Sequence, residues 1–112
     1  MNDSYNFIAN LGENVSVPEG SILSRTLQSD ANSKVILFRF APGQELSAHA
    51  APFPATLQFV SGEAQLKLGE DWHQAQPGTF VYMTPKLEHA IKAQTETVML
   101  LTMIKGAVVP SN

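Results

Sequence analysis

The stretch PGQELSAHAAPFPATLQFVSG, from Pro42 to Gly62, decides how the chain is read. A Pro-Gly turn opens it and Ser61-Gly62 closes it. Glu45 to Ala50 reads as a short strand carrying His49. Pro52 and Pro54 bracket Phe53, and neither proline has an N–H to give to a ladder, so this piece is a loop or an edge. Thr56–Val60 and Ala64–Leu68 then flank Ser61-Gly62-Glu63, a hairpin signal. A second stretch, PGTFVYMTPKLEHA from Pro77 to Ala90, answers the first and carries His89 near its end.

Outward from these two stretches, apolar runs of strand length alternate with turn signals from residue 20 onward. Ser21–Leu27 is a first strand, ended by the polar cluster Gln28–Ser33. Val35–Phe40 places Ile36, Phe38 and Phe40 on one face and Val35, Leu37 and Arg39 on the other. Apolar residues on both faces imply cover on both sides, by a second sheet or a second subunit. Trp72–Ala75, Thr79–Met83, Ala90–Ala93 and Thr97–Ile104 complete the set. Eight or more short strands with evenly spaced turns indicate an all-β sandwich or small barrel. Residues 1–19 form a partly irregular N-terminal segment, with room for a short helical turn over Tyr5–Leu11. Residues 20–106 form the barrel, and 107–112 a frayed tail.

Composition limits the function. The 112 residues suit one domain with one core, and 44% hydrophobic content allows adequate burial. Apolar runs stop at four residues, as in Phe80–Met83, too few for a transmembrane helix. The opening MNDSYNF shows no signal peptide, and the absence of cysteine removes disulfides, thiolate metal sites and a Cys nucleophile. A cytoplasmic setting is the default. The net charge of -3 comes from 7 scattered basic and 10 scattered acidic residues. No basic footprint for nucleic acid results, and no membrane surface is suggested.

Together the two stretches resemble the paired motifs of the cupin superfamily, in its small single-domain, RmlC-like jelly-roll form. Gly43, five residues and then His49 match the start of the first motif, and Gly62 closes it. Gly78 and His89 match the second motif, and fifteen residues, Glu63 to Pro77, separate the two. The resemblance spans about residues 35 to 104 and implies a double-stranded β-helix. It also implies a metal shell of three His and one Glu, and here the chain departs from it. The second His of the first motif is Ala51 and the Glu is Ala55. In the second motif Pro becomes Thr84, Gly becomes Lys86 and Asn becomes Ala93.

In the cupin pattern Ala55, Leu57 and Phe59 face inward and Gln58 faces away. The expected ligand pocket is therefore lined by His49, Ala51, Ala55, Leu57, Phe59 and His89. Catalytic divalent ions usually take three protein ligands, and two neutral imidazoles supply no charge to balance a dication. No cofactor is expected with full occupancy. A divalent ion (Ni, Mn, Fe or Zn) at low occupancy would rest on His49 and His89. Glu45 shares strand parity with His49 but lies roughly 13 Å along it, a weak substitute ligand. Trp72 reads as partly buried packing, His73 as solvated, and Met83, Met99 and Met103 as core filler. Phe53 reads as a lid or dimer contact, and Glu88 as a loop charge able to raise the pKa of His89.

The first functional expectation is a cupin barrel, paired as a homodimer, that binds a small organic molecule in a metal-poor pocket. The second is a metal-dependent dioxygenase, isomerase or lyase with an incomplete protein shell. The third is a structural or protein-binding barrel with a vestigial cavity. Catalytic residues and substrate identity are not assigned by the sequence.

Overall fold

The computed structural model describes residues 4–13 and 16–106. Nine strands lie among them: β1 (Ile22–Ser29), β2 (Lys34–Phe40), β3 (Glu45–His49), β4 (Ala55–Ser61), β5 (Ala64–Leu68), β6 (Asp71–Ala75), β7 (Phe80–Met83), β8 (His89–Ala93) and β9 (Thr97–Met103). They form two antiparallel sheets, a five-stranded one ordered β1-β2-β9-β4-β7 and a four-stranded one ordered β3-β8-β5-β6. This is the all-β jelly roll expected from the strand pattern. Expected and observed strand ends agree to within two residues. The proline-rich piece around Phe53 is the β3–β4 connection, as its missing N–H groups require.

Inward-facing residues fall into rows set by the ladder register. In the four-stranded sheet Ala93, Ala64 and Ala75 make one fully buried row at one end of the sandwich. Leu46, Ile91 and Leu66 make the next. His49, His89 and Leu68 make the last, at the other end. Small and then large apolar rows thus close one end of the sandwich, and the histidine pair stands beside Leu68 at the other, where His49 is exposed. The facing sheet contributes Phe40, Met99, Phe59, Leu57, Ala55 and Met83 to the same core cluster. Burying Phe40 or Phe59 stabilises the fold by about 2–3 kcal/mol each. Met83 and Met99 are buried and Met103 packs against the cluster, so the three methionines are core residues.

One expectation needs correction on the outside of the five-stranded sheet. No helical turn forms over Tyr5–Leu11. The segment instead crosses the outer face of the sheet. The Asn6 side-chain amide donates to the Leu27 carbonyl at 2.8 Å, and Arg39 donates to the Leu11 carbonyl at 3.3 Å. Leu37, on the outer face of β2, is buried. Leu37 is thus buried within the single chain, on the face that the N-terminal segment crosses. The expected frayed tail, 107–112, and part of the 1–19 segment lie outside the described residues.

Candidate functional site

The two motif histidines stand side by side at the end of the sandwich away from the alanine row. His49 on β3 and His89 on β8 are directly opposed in register. Their ring centroids are 4.3 Å apart and the rings are tilted by 55°. His89 is 7% exposed, while His49 is open to solvent.

A bulge brings them together. Glu45 pairs with Lys92 and Leu46 with Ile91, but His49 pairs with His89, so β3 carries one extra residue between Leu46 and His49. Inward-facing Leu46 would otherwise put His49 on the outer face, because side chains alternate with a period of two. The extra residue re-aims His49 inward. The same bulge cancels the parity once assigned to Glu45 and His49. Glu45 is exposed and opposite Lys92, so it faces away from the histidines and is no substitute ligand.

Each imidazole is held by a carbonyl. His49 Nδ1 lies 2.8 Å from the Ser47 oxygen, and His89 Nδ1 lies 3.0 Å from the Leu87 oxygen. A carbonyl only accepts, so both Nδ1 atoms carry hydrogen and donate. In the neutral rings both Nε2 atoms keep their lone pairs, the tautomer in which such backbone contacts usually set a ligand-binding histidine.

His89 titrates below the ordinary imidazole value of 6.5. Burial is the first cause. The Leu87 carbonyl opposes it, and the nearby His49 reinforces it. Glu88 is an exposed loop charge, as expected, and the causes that set the His89 pKa are burial, the Leu87 carbonyl and His49. A lowered folded-state pKa means that the unfolded chain takes up the proton first as pH falls below 6.5. The contribution of His89 to stability is therefore complete above that value and is lost on acidification. Thermal midpoints recorded from about pH 8 down to about pH 5 should fall less steeply in His89→Gln than in the parent. Parallel curves would remove burial of a neutral ring as the cause.

The remaining expected pocket residues sort by depth. Ala51 is half-buried in the β3–β4 connection, and its carbonyl accepts the Lys86 N–H at 2.7 Å. Ala55 begins β4 between Met83 and Met103, and is 3% exposed. Leu57 and Phe59 lie deeper, packed in the continuous core. Gln58 is exposed and points outward, as its parity requires. Lys86 adopts φ 70° at the motif position usually held by Gly. A left-handed conformation costs an ordinary L-residue about 1–2 kcal/mol. The loop that positions His89 thus keeps its turn without the residue that most easily makes it.

Among the described residues no group of three or more His, Cys, Asp or Glu is placed to hold a metal ion. The His49–His89 pair offers two neutral nitrogens and no carboxylate, a donor set short of the three ligands usual for catalytic zinc or non-haem iron. These residues do not fit the full cupin metal shell.

A sequence profile of the cupin domain matches residues 36–105, well over half of the chain. The chain belongs to the cupin family. Among solved structures, this cupin is similar to a conserved protein of unknown function from Streptococcus pyogenes, at 25% identity and a TM-score of 0.81, with 96% of this chain and 91% of that one covered. A cupin 2 conserved barrel domain protein from Leptotrichia buccalis is 30% identical with a TM-score of 0.79, covering 86% of this chain and 47% of that one. An RmlC-like cupin from Shewanella frigidimarina shares the fold at 16% identity and a TM-score of 0.77, with 93% and 94% covered. No curated protein matches the sequence. No helix among the described residues is long and apolar enough to cross a membrane.

Trp72 and the outer face of the five-stranded sheet were not singled out for function by their sequence. Trp72 is 58% exposed, not the packing residue expected, because it lies on the outward side of edge strand β6. His73 is exposed, as expected. On β7, Phe80 and Tyr82 are 59% and 56% exposed. The alternation of Phe80 and Tyr82 with Val81 and Met83 was the available signal.

Proposed function

We propose that this cupin binds a small organic molecule at the histidine-bearing end of its sandwich, through the Nε2 atoms of His49 and His89 and without a full metal shell. The observation that carries this reading is the pair of opposed imidazoles whose Nδ1–H groups are both occupied by carbonyls. Two neutral acceptors side by side favour a ligand that donates hydrogen bonds, such as a hydroxyl or amine compound. An anion would require a protonated ring, which burial of His89 opposes. Ala51 and Ala55 stand where the family motif has larger side chains.

The functional molecule is proposed to be a homodimer. Phe80, Tyr82 and Leu23 expose apolar surface on the outer side of the five-stranded sheet, and Tyr5 and Phe7 add to it from the N-terminal segment. Exposed apolar side chains at the edges of a sheet, beside an exposed apolar segment, are what a subunit contact would cover.

Protein purified without chelator, alongside His49→Ala/His89→Ala, tests the reading. We expect metal well below one equivalent per chain in both, and a thermal shift with some members of a panel of small polyols and amines that the double variant loses. Light scattering should give twice the 12.2 kDa chain mass. One equivalent of metal, lost in the double variant, would replace this proposal with a metal-dependent enzyme. No shift with any compound would favour a barrel whose histidine pair is a relic.

A further inference from the structure

The outer face of the four-stranded sheet carries a recess unrelated to the histidine pair. In the β5–β6 ladder Lys67 stands opposite Trp72 and Gln65 opposite Gln74. Opposed residues share a face. Leu66, between Lys67 and Gln65, is buried in the core, so the four point outward. The Lys67 Nζ lies 5.9 Å from the Trp72 ring centroid, at the outer reach of a cation–π contact. The Gln74 amide N–H donates to Gln94 Oε1 at 2.7 Å. That bond fixes the amide orientation and leaves the Gln74 carbonyl oxygen as an acceptor. Gln65, Trp72, Gln74 and the edge-strand His73 line a recess of about 400 Å³, within the usual range of small-molecule sites.

The lining is specific in its chemistry. It offers one flat apolar surface, two primary amides that each donate and accept, and no carboxylate. An entirely apolar ligand would strip water from Gln65 and Gln74 without replacing their hydrogen bonds. A flat heteroaromatic would stack on the indole but has few rim groups for the amides. A pyranose satisfies both demands. Its C–H face lies against the electron-rich indole face, and neighbouring hydroxyls around its rim match the paired donor and acceptor of a primary amide.

We propose that this recess binds a pyranose ring, with Trp72 as the stacking surface and Gln65 and Gln74 as hydroxyl partners. The inference does not depend on the reading of the histidine site, which lies on the opposite face of the same sheet.

Trp72 is the single tryptophan of the chain, so selectively excited indole emission reports on this recess alone. The full chain is titrated with methyl glucopyranosides, methyl galactopyranoside, maltose and cellobiose. At least one should give a saturable change, with Kd in about the millimolar range. Gln65→Ala/Gln74→Ala should weaken that Kd by about tenfold or more. Trp72→Ala, followed by saturation-transfer NMR, should lose the interaction. All three side chains are at the surface, so the variants retain the fold. Strictly linear titrations with every sugar would overturn the proposal. So would an unaltered Kd in the double glutamine variant, or saturation by benzimidazole but by none of the sugars.

Discussion

Gly62→Ala is expected to lower the stability of this cupin by about 3 kcal/mol or more, combining about 1–2 kcal/mol of left-handed backbone strain with about 1–3 kcal/mol of overpacking. Gly62 has φ 84°, and a Cβ there would collide with the Glu96 carbonyl oxygen and lie 2.6 Å from both Cα and Oγ1 of Thr97. Those neighbours cannot swing aside. Thr97 is fully buried, and its hydroxyl bonds the Thr95 carbonyl at 2.8 Å. The two loops are also tied together, because the Gln94 N–H donates to the Glu63 carbonyl at 2.8 Å and the Glu63 N–H to Thr95 Oγ1 at 2.9 Å. Domains of this size have a total stability of about 5–15 kcal/mol, so the loss should depress the melting temperature by roughly 10 °C or more. Gly43→Ala supplies the control. It has the same φ of 84°, but an added Cβ meets nothing within 4 Å. Only the conformational part of the cost applies to it. Denaturant or thermal melts in which the two variants behave alike would show that the close approach of the two loops is not what Gly62 serves.

Gly62 also illustrates what the sequence allows a reader to see. The spacing Gly43, His49, Gly62, Gly78, His89 placed both histidines in one barrel, His49 on a strand and His89 just before one, and the structure sets them in adjacent strands. That much followed from motif order and strand length. The inward face of β4 was equally plain, since a period of two assigns Ala55, Leu57 and Phe59 to one side once any one of them is fixed. The bulge in β3 was hidden, because an extra residue is defined only against a partner strand, and nothing local in Glu45–His49 announces it. Parity counted through the bulge therefore assigned Glu45 to the wrong side. Trp72 was misread for a different reason. Residue type suggested burial, whereas its place on an edge strand, two residues from Gln74 and out of phase with buried Ala75, turns it to water. The bond between Arg39 and the Leu11 carbonyl could not be read from β2 alone, since it depends on where a segment without secondary structure comes to rest.

Ala51→His combined with Ala55→Glu is expected to create a metal site, tightening Ni²⁺ or Zn²⁺ binding by about a hundredfold or more, about 2.7 kcal/mol. His49 and His89 already present two Nε2 lone pairs. The substitutions add a third imidazole and the one feature most lacking, an anionic oxygen to balance the ion. Ala51 takes part in the fold through its carbonyl, which the Lys86 N–H keeps bonding whatever the side chain. Ala55 is the demanding position. It is 3% exposed between Met83 and Met103, so a carboxylate placed there without metal loses its hydration. That burial should destabilise the metal-free variant by about 2–4 kcal/mol, or drive the new Glu to protonate. Metal should then reverse the loss, since a ligand at a hundred times its Kd contributes about 2.7 kcal/mol. Ala55→Glu alone should show the cost with little of the recovery. The pattern to look for is thus a melting temperature that falls on substitution and climbs with added metal only when both changes are present. A double variant that melts low and binds nickel no better than the parent would mean that position 55 does not converge on the two histidines.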